Sequence, residues 1–241
     1  MDKEEEHKIV ALRKEIPVGI TEGLNLLREY YGNLEEAVIA FQKKRLQIVI
    51  NKTNTSEELA LKHLKQNNFD INLTLKSLEE ELYSITERIF RKFKSKETVL
   101  SNLFSSIEQT RDLKRNFWID FEKLDVLNEQ EKAFVIIQEW LNFEAWENFT
   151  TALHFHLGLV IEQIDQKLRW LEMAENLKTA HEKQKEIYLK YQKQYDSVTI
   201  HNEYLTEDTE YQKCYQFFRD NEEVFTEKLY DFIKENIQYF P

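Results

Sequence analysis

The chain has 241 residues, of which 41% are hydrophobic and 32% charged, with only four glycines and two prolines. That is enough apolar material for one large or two modest cores and too little turn-forming material to punctuate a strand-rich fold, so charged residues recurring among apolar ones at helical spacing predict an all-α protein. A net charge of −11, negative in residues 1–82 and again in 83–241, disfavours general nucleic-acid binding.

The single cysteine, Cys214, excludes an internal disulfide and points to a reducing, cytoplasmic setting. The opening MDKEEEHK is charged. The longest apolar stretch, around Ala152 to Ile161, is broken by His154, His156 and Gly158, so neither a secretion signal nor a membrane span is expected.

In chain order, residues 1–8 read as a charged N-terminal tail. Two segments then fall in register at an offset of 37 without a gap, pairing Leu12 with Val49, Leu24 with Leu61, Leu27 with Leu64, Leu34 with Ile71, Val38 with Leu75 and Phe41 with Leu78. Spacings of three, four and seven place these positions on one face of short helices, which predicts a three-helix module over 9–43 and a second over 44–82. Gly32 suits a left-handed helix stop, and Asn33 then caps the next helix through its side-chain oxygen. In the second segment Asp70 is the expected cap; Phe69 replaces the glycine, so Asn68 is expected to take the left-handed position. Pro17-Val18-Gly19 and Asn54-Thr55-Ser56 separate the first helix of each module from the second, with Ser56 a helix cap. Residues 39–52 contain neither glycine nor proline, so one helix is expected to run from the first module into the second.

The stretch LRKEIPVGITEGLNLLREYYGNLEEAVIAF (12–41) resembles the ubiquitin-associated (UBA)-like N-terminal module of elongation factor Ts through Leu12-Arg13, Gly19, Leu27, Gly32, Leu34 and Ala37. Residues 51–78 resemble it at Thr53, Ala60, Leu64, Asp70 and Ile71. The pattern departs at Ile16-Pro17, where the family has Thr-Gly, and at Asn54-Thr55-Ser56, which replaces Gly-x-Gly. The resemblance implies a docking unit, since in that family the module leans against elongation factor Tu and in relatives it binds ubiquitin or other proteins. The Met-Gly-Phe/Tyr loop of ubiquitin-binding members is missing from both segments, so ubiquitin is not the expected ligand. From Leu82 onward the resemblance stops.

Residues 83–241 read as an aromatic-rich bundle of five or six helices. Ile85, Ile89 and Phe93 form an apolar stripe among Arg88, Arg91, Lys92, Lys94 and Lys96, a basic stretch that suits an amphipathic linker helix and, as a lesser reading, contact with RNA or a ribosome. A helix is expected from about Glu97 to Asn116, and another begins at the Asn128–Glu131 capping signal. Leu153, Leu157, Val160, Ile164, Leu168 and Leu171 predict one long helix whose charged continuation over 172–196 projects from the core. After an irregular 197–205, Thr206 is expected to cap a helix bearing Tyr211, Cys214, Tyr215 and Phe218, and a last helix from about Glu222 buries Phe225, Leu229, Phe232, Ile233 and Ile237. Trp118, Trp140, Trp146 and Trp170 are expected to fill the core.

The most enzyme-like group is Glu144, Glu147, His154, His156 and Glu162, which would make the chain a bundle metalloenzyme. Spacing argues against a metal there: His154 and His156 point about 200° apart on a helix, and Glu147 and His154 sit two turns, roughly 10 Å, apart. Cys214 lies among apolar neighbours, where burial is expected before reactivity. No phosphate-cradling glycine loop, nucleophile elbow or Cys-x-x-Cys pair occurs. The expectation is a non-enzymatic, cofactor-free scaffold that docks a protein partner, with Pro17, Val18, Gly19, Ile20, Asn54, Thr55 and Ser56 as the docking residues.

Overall fold

A computed structural model describes residues 3–241, so Met1 and Asp2 of the expected tail lie outside the described residues. The chain is all-α and divides into two compact units, residues 1–84 and 85–241.

The first unit contains α1 (Lys3–Glu15), α2 (Ile20–Glu29), α3 (Leu34–Thr53), α4 (Glu57–Gln66) and α5 (Ile71–Leu82). Residues 3–8, read as tail, are the first turns of α1. Helices α2 and α4 each have 10 residues and begin 37 positions apart. The turns after them share one hydrogen-bond pattern: Gly32 N–H donates to the Leu27 carbonyl at 2.6 Å, and Phe69 N–H to the Leu64 carbonyl at 2.7 Å. Each turn needs two left-handed residues, Tyr31 (φ 51°) with Gly32 (φ 79°) and Asn68 (φ 49°) with Phe69 (φ 59°). Phe69 therefore shares the strained position that Asn68 alone was expected to take. Its ring meets Phe41 edge-on with centroids 6.5 Å apart and belongs to the apolar clusters of both halves, which offsets the backbone cost.

Asn33 accepts from the N–H groups of Glu35 and Glu36, Asp70 from Leu73 and Ser56 from Leu59, so all three expected caps form. Helix α3 runs unbroken through the expected module boundary. Ile9, Leu12, Ile16, Val18, Leu27, Ala37 and Phe41 bury one cluster, and Val49, Ala60, Leu64 and Leu78 the other. Buried His63 ties α4 to α5, its ring nitrogens lying 2.8 Å from Ser77 Oγ and 2.8 Å from Glu81 Oε2.

The second unit begins with α6 (Ile85–Lys92) and α7 (Lys96–Thr110). Helix α7 stops short of the expected Asn116 because Asp112 turns left-handed (φ 51°) and Leu113 N–H returns to the Glu108 carbonyl. A two-residue antiparallel pairing follows, β1 (Arg115–Asn116) with β2 (Trp118–Ile119), turning on Phe117. The long α8 (Glu129–Trp146) starts in a complete capping box between Asn128 and Glu131. The expected single helix over 153–171 is instead α9 (Phe149–Ala152), α10 (Leu157–Gln166) and the start of α11 (Leu171–Tyr191), interrupted at His156 (φ 50°) and Arg169 (φ 51°). Three- and four-residue spacing survives the breaks because Leu153, Leu157, Val160, Ile164 and Leu168 all face one core; Leu171 is exposed.

Helix α11 does not project. Met173, Ala174, Leu177, Ala180, Gln184 and Ile187 are buried along it. Residues 197–205 are helical, α12 (Ser197–Thr199) passing into a π-helical turn over Ile200–Leu205, and Asp208 rather than Thr206 caps α13 (Thr209–Asp220), because its carboxylate reaches the Glu210 and Tyr211 N–H groups. Helix α14 (Glu222–Glu235) ends before Ile237, which is only half-buried, and Trp146 is 78% exposed rather than core.

Helix α8 is apolar on nearly every side, with Ala133, Phe134, Val135, Ile136, Ile137 and Trp140 buried, yet it also buries three carboxylates. Arg111 donates twice to Glu131 Oε1, at 3.0 and 2.7 Å. Arg115 reaches Glu139 at 2.9 and 3.2 Å, and the Ile119 N–H donates to the same carboxylate at 2.7 Å. Glu144 pairs with Arg219, although burial still pushes its carboxyl up.

Two outcomes follow from these buried groups. Arg115→Ala leaves the fully buried Glu139 carboxylate without its cation and should lower unfolding free energy in urea by about 3 kcal/mol at neutral pH, most of it recovered on adding Glu139→Leu. The ring of His181 lies 5.3 Å from that of His154, its Nδ1 is buried without a partner, and burial, then His154 and Lys185, push its pKa down against Glu182. The unfolded chain then binds the proton more readily, so stability present above about pH 6.5 is lost as pH falls below that value. His181→Phe should make thermal-unfolding midpoints less steep between pH 7.5 and 5 (roughly the histidine range); an unchanged slope would contradict the assignment.

Candidate functional site

The expected docking residues do not form one surface. Val18 is buried in the first apolar cluster, where it helps hold α1 against α2, so it offers nothing to a partner. Pro17 and Gly19 are exposed, and Ile20, the first residue of α2, is 54% exposed. A Cβ on Gly19 would meet no atom within 4 Å, which leaves open space above the turn. The Arg13 Nε–H donates to the Val18 carbonyl at 3.2 Å and fixes the turn's shape from outside.

Asn54 and Ser56 serve the backbone. Asn54 is left-handed (φ 56°) and closes α3 through its N–H to the Ile50 carbonyl at 2.8 Å; Ser56 caps α4, and Thr55 is half-buried. None of the three joins the concavity that Pro17 lines.

That concavity has a volume of about 350 Å³. One wall is the end of α1 and its turn, Arg13 to Pro17; the other is Lys65 on α4 with Asn68 and Phe69 from the left-handed turn. Its walls carry Arg13, Lys14 and Lys65 against Glu15, a local positive excess on an acidic chain. Lys14 and Lys65 form no ion pair among the described residues. Phe69 and Pro17 supply apolar surface in the same groove. The offset of 37 identified Asn68 and Phe69 as turn residues, but their meeting with Pro17 depends on how α1 and α4 each pack against α3 and left no mark in the sequence.

The alternative groups disperse. Glu144 is spent on Arg219; Glu147 and Glu162 are exposed; His154 faces His181, and His156 packs its ring against Phe121 and Phe155. Among the described residues no three His, Cys, Asp or Glu side chains gather closely enough to hold a metal ion. In the basic segment, Lys92 lies over the Phe93 ring, and Lys96 donates to Glu227 at 2.8 Å, a bond that raises its pKa. Cys214 is buried, and burial pushes its thiol pKa up, away from the reactive thiolate. No helix among the described residues is long and apolar enough to cross a membrane.

Comparison with known proteins matches residues 84–238, nearly the whole second unit, to the YfbN C-terminal domain. A protein of Escherichia coli (strain K12), described as "Uncharacterized protein YfbN", is 30% identical over 238 residues, covering 97% of this chain and 94% of its own. No solved structure matches. Similarity thus extends beyond the matched domain and through both compact units, and the chain belongs to the YfbN family.

Proposed function

We propose that this protein is a non-enzymatic docking scaffold whose N-terminal unit consists of two divergent UBA-like modules gripping an acidic, apolar-anchored segment of a protein partner. The observation that carries the reading is the groove shared by the Pro17 turn and the Asn68–Phe69 turn, which joins unpaired Lys14 and Lys65 to the apolar surface of exposed Pro17 and half-buried Phe69. The module reading is supported by the equal lengths of α2 and α4, the matching turn hydrogen bonds 37 residues apart and the continuous α3.

The chemistry selects the partner's character. Cations without partners attract a carboxylate-bearing segment, and the chain's remaining negative charge repels it from other faces, so electrostatics sets location while the apolar walls set affinity. A partner side chain such as Leu or Phe, laid between Pro17 and Phe69, would bury apolar area on both walls.

The test is fluorescence anisotropy on the full chain with a labelled peptide carrying several Asp and Glu around one Phe, against the same peptide with Lys at the acidic positions. The acidic peptide should bind more tightly, weaken as salt rises, and lose at least about tenfold in affinity when Lys14→Glu and Lys65→Glu are combined. Equal binding of the two peptides, or binding indifferent to the double reversal, would reject the groove as the docking surface.

A further inference from the structure

The helical unit holds a larger and more polar concavity, of about 520 Å³, that the docking reading does not use. Helix α14 lines it with Lys228, Asp231, Phe232 and Glu235, whose spacings of three, four and seven form one stripe along that helix. The opposing wall is the turn between α10 and α11, Lys167 to Arg169.

Arg169 is the unusual member. It holds φ 51°, a conformation a glycine would supply without strain, and its guanidinium makes no hydrogen bond or ion pair among the described residues. The turn alone does not account for an arginine there. Lys228 lies over the Trp170 ring, 5.2 Å from its centroid, without a carboxylate partner, and Lys167 reaches only a largely exposed Glu129 at 3.8 Å. Three cations therefore line the cleft with little to neutralise them, Lys167 and Arg169 on the turn and Lys228 facing them from α14. Asp231 and Glu235, one turn apart on α14, face the same space; neither forms an ion pair among the described residues, and Asp231 lies in the field of Lys96.

This mixture of charge restricts the occupant. A bare polyanion would be repelled by the two carboxylates, and a polycation by Arg169 and the lysines. A molecule with a dianionic end and a set of hydroxyl donors satisfies both: the guanidinium and ammonium groups bind phosphate oxygens, and the carboxylates accept from hydroxyl groups. The apolar share of the walls is confined to Leu168 and Phe232, too little to sandwich an aromatic base. We propose that this cleft binds a small phosphorylated polyol of the sugar-phosphate class, its phosphate on Lys167, Arg169 and Lys228 and its hydroxyls on Asp231 and Glu235. The volume lies within the range of small-molecule sites.

Isothermal titration of the full chain with ribose 5-phosphate, ribose and inorganic phosphate tests the assignment. Ribose 5-phosphate should bind, ribose should not, and inorganic phosphate should be weaker by about tenfold or more. Arg169→Gly keeps the turn and should unfold thermally no earlier than the parent, while losing at least about tenfold in affinity; Lys228→Ala should lose a similar factor. Asp231→Asn combined with Glu235→Gln should abolish the preference for the sugar phosphate over inorganic phosphate. Absence of binding by either phosphorylated compound at millimolar concentration, or binding unchanged in a folded Arg169→Gly protein, overturns the site. Equal affinity for inorganic phosphate and ribose 5-phosphate overturns the polyol part.

Discussion

The second unit depends on the pairing of α8's buried carboxylates with arginines from other elements. A helix buried on nearly every face leaves no water for Glu131, Glu139 and Glu144, and an unpaired carboxylate in such a place costs several kcal/mol (order of magnitude). Arg111 at the end of α7, Arg115 in the hairpin and Arg219 on α13 meet them one by one. Because the three carboxylates lie at different angles around α8, each pairing fixes the position of a different neighbour. The hairpin is the clearest case: two short strands have almost no stability of their own, and the Ile119 N–H together with Arg115 anchors them to Glu139.

The first unit solves a different problem with shorter elements. Helices of ten residues are marginal alone, so each half depends on a capped turn and a few apolar contacts. The two halves are held in one frame by α3, which serves both, and by Phe69, which packs into both clusters. A phenylalanine in a left-handed turn costs roughly 1–2 kcal/mol of backbone strain, and its ring contact with Phe41 repays it. The docking groove is a consequence of this arrangement: one of its walls includes the same residue that ties the halves together.

Much of the first unit was legible. The offset of 37, the caps at Asn33, Ser56 and Asp70, and the uninterrupted α3 all rest on local chemistry, where a side chain either reaches a nearby N–H or does not. Position in a loop suggests exposure for Val18, but its side chain turns inward against α1 and α2. Asn54 and Ser56 are exposed, but the Asn54 backbone N–H and the Ser56 hydroxyl also serve helix ends. In the second unit the apolar positions from Leu153 to Leu168 were identified correctly as core, but periodicity does not record an interruption when both sides of the break face the same interior.

Composition and spacing alone determined the helical class and most core positions, because burial of apolar stripes follows directly from the repeat of the helix. Only the tertiary structure decided which arginine meets which glutamate, where α10 and α11 part at Arg169, and that Pro17 shares a groove with Phe69. Those are contacts between residues far apart in the chain, fixed by the packing of whole helices, and local propensity carries no information about which distant partner arrives.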